Sequence, residues 1–458
     1  MFGRLTLFIF ALSLAGAPAF GQPAPRWAVP EGCSREAAGA LPELEKRRLS
    51  LEAEVSRQSA AVDRAKRKDG KTGVDAAVGP GAADQKLRGR QEELLEVLFR
   101  IECARAGELQ PTPEAPPRSP FKRRPGTAQG KDLIEITTYY ATNRRHTGSA
   151  EPTKAYGAGV ESTLHYGRAI VSIPPTHIPG NLELPSLWKL DRVADPNKHF
   201  ILKEVMPASA DSGRRELAQK LQAMSSKALL IFVHGFNMGF PEAAMRTAQM
   251  AHDLKFPGMP FFFSWPSANQ IRSYWHDEEI ARLSEAVFEQ LIDELSLLPA
   301  TDIYIVAHSM GNRIVGHALQ ARMDKGKETK NLKELLLAAP DINADVFRTV
   351  IAPKLSAMRG TRTTIYSSSS DLALKASKVV HRYKRVGDTS GGVTTYPGID
   401  TIDASNASPT LRGYGHFYVV DSLSVMNDVR SIIERKGSAK LRGLSEVGAS
   451  PNIHWRLP

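Results

Sequence analysis

The sequence predicts an α/β protein built on a doubly wound, mostly parallel sheet and preceded by a helical hairpin. Three observations carry this. Short apolar runs at 228–233 (ALLIFV), 260–265 (PFFFSW) and 334–339 (ELLLAA) alternate with longer amphipathic stretches, the pattern of strands covered on both faces by helices. Turn-forming residues cluster where one period gives way to the other. Ser, His and Asp residues fall at the carboxyl ends of the apolar runs, where functional groups of parallel sheets collect.

The chain has 458 residues, enough for two or three domains, and its 42% hydrophobic and 24% charged content is ordinary for a soluble globular protein. The net charge of +11 makes the surface basic. Many of the basic residues lie in tails and linkers, so solubility accounts for the excess and no nucleic-acid partner is expected.

Residues 1–21 read as a secretory signal peptide: Arg4 supplies the positive start, 5–15 the apolar centre, and Ala17-Pro18-Ala19 or Ala19-Phe20-Gly21 the small-residue exit. The apolar centre is too short to span a bilayer as a mature helix. The mature protein is therefore expected to be exported, to the periplasm or beyond. Residues 22–107 form the predicted helical hairpin region. Leu41, Leu44, Leu49, Leu51 and Val55 mark its first helix, a Gly- and Ala-rich break covers 69–83, and Leu94, Leu95, Val97, Leu98 and Ile101 mark its second. Cys33 and Cys103 sit at the two outer ends, and in an oxidising compartment they are expected to pair as a disulfide rather than remain free thiols. Gly70-Lys71-Thr72 lacks the upstream glycine and preceding strand of a phosphate loop.

Residues 108–131 form a Pro-rich basic linker, with six prolines and the cluster Lys122-Arg123-Arg124. That cluster offers peripheral contact with an anionic envelope surface, although a solvated linker explains it as well. Residues 132–436 are read as the main domain, and 437–458 as a flexible C-terminal tail. In the domain, 135–142, 168–173 and 200–206 read as strands, with Gly157, Gly159, Pro179-Gly180 and Pro185 as turn residues of hairpins or meandering edges. Helices are expected at 214–224, 240–254, 277–297 and 419–434. Further strands are expected at 302–307, 362–367 and 399–404.

The strand at 302–307 runs into Ala307-His308-Ser309-Met310-Gly311, and helical spacing resumes at Gly311. A serine on so tight a strand-to-helix turn is presented above the sheet, and its small neighbours Ala307 and Gly311 permit the close approach that such a turn needs. An N-cap serine would also fit there. A serine hydroxyl attacks only with a histidine to take its proton and a carboxylate to orient that histidine. Of His317, His381, His416 and His454, His416 lies in a glycine-flanked loop between the last strand and the closing helix, where the base is expected. Asp371 follows the later strand and is the favoured acid. Asp341, after the earlier strand, is the alternative, and Asp345 a weaker one. The oxyanion donors are expected to be the backbone N–H of Met310 and that of Phe236, with Asn237 next.

The chain then resembles the α/β-hydrolase superfamily, and more narrowly an uncharacterised, lipase-like bacterial branch of unknown function. The features that carry the resemblance are Tyr140-Ala141-Thr142-Asn143-Arg144, Phe232-Val233-His234-Gly235-Phe236-Asn237, Ser264-Trp265-Pro266-Ser267, Ala307-His308-Ser309-Met310-Gly311-Asn312, Ala339-Pro340-Asp341, Ser369-Ser370-Asp371 and Gly415-His416. Ala307 departs from the usual first glycine of the turn. The resemblance implies a Ser309–Asp371–His416 triad and the fold of that superfamily. The function expected is serine-ester hydrolysis through an acyl-enzyme, on a small-molecule or lipid-like ester, with no cofactor and no metal. The alternative is an envelope binding or scaffold protein on the same fold with weak or no catalysis.

Overall fold

The computed structural model describes residues 41–69, parts of 86–101, and 133–185, 194–270, 273–381, 383–407, 421–435 and 437–457. The expected signal peptide, both cysteines, the Pro-rich linker and His416 lie outside the described residues. Helix α1 (Leu41–Asp69) buries Leu44, Leu51 and Val55. The described residues of 86–101 are helical and bury Leu94, Val97 and Ile101. Arg90 pairs with Glu54 at 3.1 Å, and Arg47 with Glu93. The connection between the two helical stretches is not among the described residues.

The rest is organised on one sheet of eleven strands, in the order β10-β11-β9-β8-β7-β6-β4-β5-β1-β2-β3. The strands are β1 (Ile134–His146), β2 (Tyr156–Ile173), β3 (Ile201–Ala208), β4 (Ala228–Val233), β5 (Met259–Ser264), β6 (Asp302–His308), β7 (Leu332–Ala338), β8 (Arg362–Ser367), β9 (Asp400–Asp403), β10 (Ser445–Val447) and β11 (His454–Arg456). Pairing is parallel from β1 through β5, β4, β6, β7, β8 and β9 to β11, and antiparallel at the two margins. Both faces are covered. In β4, Leu229, Ile231 and Val233 enter one core while Leu230 and Phe232 enter the other, so the apolar run is continuous because neither face meets water.

The principal helices of this region are α2 (Ala210–Ala223), α3 (Phe240–Asp253), α4 (Tyr274–Leu295), α5 (Gly311–Asp324), α6 (Leu372–His381) and α7 (Leu423–Arg435). Helix α3 packs in one core with Phe240, Ala244 and Ala248; α4 and α5 pack in the other with Phe288, Ile314 and Val315. The chain passes from β4 outward to β5 and then returns to β6 on β4's other side. The loops after β4 and β6 therefore part to opposite faces, which is a topological switch point.

Two expectations need correction. Gly157 and Gly159 lie within the 18-residue β2, and the turn precedes them at 147–155. The expected flexible tail at 437–458 is ordered over its described residues, 437–457: β10 and β11 form a hairpin, and β11 extends the sheet beside β9 through Trp455↔Ile402 and Arg456↔Asp403. Ala439, Leu444 and Leu457 are buried there, and Arg442 Nε donates to Asp428 Oδ1 at 2.7 Å. Strands of three residues show too few alternations for a periodic signal.

Candidate active site

At the end of β6 the backbone of Ser309 adopts φ +52°, a left-handed conformation that a non-glycine residue holds only at a cost of about 1–3 kcal/mol. The surroundings hold it there. Its N–H donates to Ala338 O at 2.9 Å, and its carbonyl accepts from Asn312 N (3.1 Å), Asn312 Nδ2 (2.9 Å) and Asp341 N (3.3 Å). Asn312 Nδ2 also donates to Ala338 O at 3.0 Å, so this buried amide ties the turn to the end of β7. A capping serine would need no such conformation.

Two glycines bring the neighbouring loop against the turn. A Cβ at Gly311 would stand 2.4 Å from His234 O and 2.7 Å from Val233 O; one at Gly235 would stand 2.7 Å from Ser309 Cβ. Side chains at either position would separate the β4 loop from the serine. Met310 begins the turn into α5, so its N–H lies at the positive end of that helix. Among the described residues, neither the Met310 nor the Phe236 N–H donates to a backbone carbonyl. Asn237 follows with φ +56°.

The β4 loop is clamped from beneath. Trp265 Nε1 donates to His234 O at 2.7 Å, and the two rings stack with centroids 5.1 Å apart. Arg144, buried at the end of β1, donates through Nε to Ser264 Oγ (2.8 Å), through Nη1 to Ser267 O (3.0 Å) and Gly157 O (3.1 Å), and through Nη2 to Met238 O (2.9 Å). Burial lowers this guanidinium to about 10, with Asp277 and Glu242 opposing. It still carries its charge at neutral pH. His234 is lowered to about 3, first by burial and then by Arg144, and is neutral. The Tyr140–Arg144 and Ser264–Ser267 motifs thus hold the donor loop; sequence spacing alone gave no sign of it, because Arg144 and Ser264 are 120 positions apart.

The two candidate acids differ in what already occupies them. Asp341 is buried in a network: Tyr274 Oη donates to Oδ2 at 2.5 Å, Ser377 Oγ to Oδ1 at 2.7 Å, Arg385 Nε lies 3.1 Å from Oδ1, and Arg313 Nη2 donates to Oδ2 at 3.3 Å. Burial by itself would raise this carboxyl; Arg385 and Arg313 outweigh it and hold it well below the usual carboxylate range. Both its oxygens are engaged by residues other than a triad histidine. Asp371, also buried, stands after β8; its Oδ1 accepts from Leu374 N at 3.0 Å, capping α6. Asp345 is exposed.

Of the histidines, His317 lies on α5 and His454 on β11. His381 ends α6, packed on Trp275 at 4.7 Å, and burial with the nearby Arg385 lowers it to about 2. His416 falls in 408–420, a stretch that the chain enters just after β9 and leaves at Asp421. Strand β9 runs parallel to β8, so the chain leaves it on the same sheet edge from which Asp371 emerges. Asp421 is itself held by Arg246 of α3 at 2.7 Å.

Strand order, the switch point between β4 and β6, and the strained serine after β6 together define an α/β-hydrolase fold. Residues 209–430, from the start of α2 into α7, match the family described as "Alpha/beta hydrolase of unknown function (DUF900)". The matched segment includes Ser309, Asp341, Asp371 and position 416. No curated protein matches the chain in sequence. Solved structures similar to it include an esterase of Pyrobaculum calidifontis (10% identity, 77% of this chain and 93% of that one, TM-score 0.27). Esterase B of Lactobacillus rhamnosis is another (10%, 76% and 94%, TM-score 0.33), as is a thermostable esterase of Pseudomonas putida (11%, 66% and 80%, TM-score 0.27). The fold is read from the chain's own strand order and the family match, not from these distant likenesses.

Proposed function

We propose that the protein is an exported serine hydrolase that cleaves a carboxylic ester through an acyl-enzyme. The observation that carries this reading is Ser309 at φ +52°, pressed against the β4 loop by Gly235 and Gly311. In this reading Ser309 Oγ attacks the carbonyl carbon while His416 takes its proton. The N–H groups of Met310 and Phe236 receive the charge on the carbonyl oxygen, each contributing about 3 kcal/mol to the barrier reduction. The tetrahedral intermediate collapses, the C–O bond to the alcohol breaks, and His416 returns the proton to the leaving alkoxide. Water, deprotonated by His416, then releases the acid and regenerates Ser309.

Asp371 orients His416 in this scheme. It is favoured over Asp341 because it follows β8, the later of the two strands, where the acid of this chain order is expected; Asp341 is bound by Tyr274, Ser377, Arg313 and Arg385. Turnover of p-nitrophenyl esters tests the assignment: activity should fall to background in Ser309→Ala and His416→Ala, with both variants folded. Unchanged turnover in either overturns its role. Export is supported by the composition of residues 1–21, and the disulfide Cys33–Cys103 by the oxidising compartment this implies. Among the described residues no helix is long and apolar enough to cross a membrane. The N-terminus of protein recovered from the periplasm and its mass without reductant test both: a retained leader or two free thiols would contradict them.

A further inference from the structure

At the opposite end of α3 from the serine's loop, three residues from two separate parts of the sequence bring potential metal ligands together. One ring nitrogen each of His177 and His252 and one carboxylate oxygen of Asp253 all lie within 4.8 Å of one another. We propose that His177, His252 and Asp253 form a divalent transition-metal site of zinc type, which fastens the β2–β3 connection to the end of α3.

The surroundings are those of a built site. His177 Nε2 faces Asp253 Oδ1 at 2.8 Å, and its other nitrogen, Nδ1, is held by Glu183 Oε2 at 2.8 Å. A carboxylate on the far nitrogen fixes the ring and raises its basicity, the usual outer support of a metal-binding histidine. Asp253 Oδ2 is fixed in turn by Gly180 N at 2.9 Å and Gln249 Nε2 at 3.4 Å, which leaves Oδ1 toward His177. The His177 side chain is 5% exposed and that of Asp253 fully buried, whereas His252 is partly open to solvent. The open side admits a cation and leaves room for a water as fourth ligand.

The charge is also suited to a cation. Two carboxylates, Glu183 and Asp253, flank one imidazole, and among the described residues neither pairs with a lysine or arginine side chain. A doubly charged ion with a neutral His177 would balance them. The proton that now bridges Nε2 and Oδ1 would be released to solvent as the cation took its place. Two metal bonds of about 2.0 Å at a tetrahedral angle need a separation of roughly 3.3 Å. The pair stands at 2.8 Å, so a small opening suffices. Backbone contacts connect the site to the rest of the fold: a Cβ at Gly180 would meet Asp421 O at 2.6 Å, so the clipped loop packs on the chain just before α7.

The test uses untagged, full-chain protein stripped of metal and titrated with Zn(II) by calorimetry and with Co(II) by visible absorption. The expected result is one equivalent bound, a tetrahedral Co(II) spectrum, and a thermal midpoint that rises with Zn(II). His252, partly exposed at the edge of the site, can be removed with less risk to folding than His177 or Asp253, and His252→Ala should abolish the spectrum and the thermal shift. Glu183→Gln should weaken binding about 10- to 100-fold. Folded protein that binds neither ion, or binds as tightly in His252→Ala as in the wild type, would overturn the proposal. In that event Glu183, His177 and Asp253 form only a hydrogen-bonded chain of charges.

Discussion

The contact between the serine turn and the donor loop can be probed by a single methyl group. In Gly311→Ala the new Cβ would lie 2.4 Å from His234 O and 2.7 Å from Val233 O, both backbone atoms. A tight but tolerated contact is roughly 3.2 Å, so the end of β4 and the start of α5 must separate by about 0.8 Å. Neither is free to yield: Val233 is paired on both sides in the sheet, and His234 O is held by Trp265 Nε1. Overpacking against rigid backbone costs about 1–3 kcal/mol, and a displacement near 1 Å between reacting groups lowers a rate about 100-fold. Gly316→Ala supplies the control on the same helix. The nearest atoms its Cβ would meet are side-chain carbons of Ile351 and Ile342, from 3.4 Å, so relief of helix-interior glycine should leave it neutral or stabilised by up to about 1 kcal/mol. Urea unfolding and p-nitrophenyl butyrate turnover measure the two consequences. The reasoning is refuted if Gly311→Ala unfolds within about 0.5 kcal/mol of Gly316→Ala and keeps its turnover.

Arg144→Lys should lower stability by about 2–4 kcal/mol in urea unfolding, since an ammonium cannot reach the four acceptors of the guanidinium and leaves buried carbonyls unpaired. Asp341→Asn and Asp371→Asn should part company. The first removes the counter-charge of Arg385 and leaves Arg313 with Glu278 alone, at a cost of about 3–5 kcal/mol in unfolding. The second loses a helix cap, about 1 kcal/mol, while turnover falls by roughly 10³-fold or more. Stability should also fall as pH drops from about 7 toward 3. His234 and His381 are lowered to about 3 and about 2, whereas the unfolded chain titrates them near the ordinary value of about 6.5. Below that pH the unfolded state binds protons that the folded state refuses, so stability rises with pH across this window. Thermal midpoints at pH 7 and pH 5 measure the slope, and His381→Gln should flatten it.

Much of this architecture was legible because its signals are local. The run 228–233 had to be a strand buried on both faces, and Ala307 and Gly311 marked a turn too tight for larger neighbours. The same strand count gave the expected chain order of Ser309, Asp371 and His416, of which His416 lies outside the described residues. What escaped the sequence depends on contacts between distant residues. Asp371 was favoured by strand order alone; that Tyr274, Ser377 and Arg385 converge on Asp341 from 67, 36 and 44 positions away could not be read from the sequence. Arg144 and Trp265 stood in recognisable motifs, but only their placement beneath the His234 loop revealed what they hold. The hairpin of β10 and β11 was missed for the opposite reason, having strands too short to show a period. His177 and Asp253, 76 positions apart, share no pattern at all.

The central claim is that Ser309 is a nucleophile activated by its surroundings, and reaction with a fluorophosphonate probe measures it most directly. The account predicts one covalent adduct on folded wild-type protein, mapped by peptide mass to Ser309, absent in Ser309→Ala and formed far more slowly in His416→Ala. Folded wild-type protein that takes up no probe, or an adduct that persists in Ser309→Ala, would contradict it.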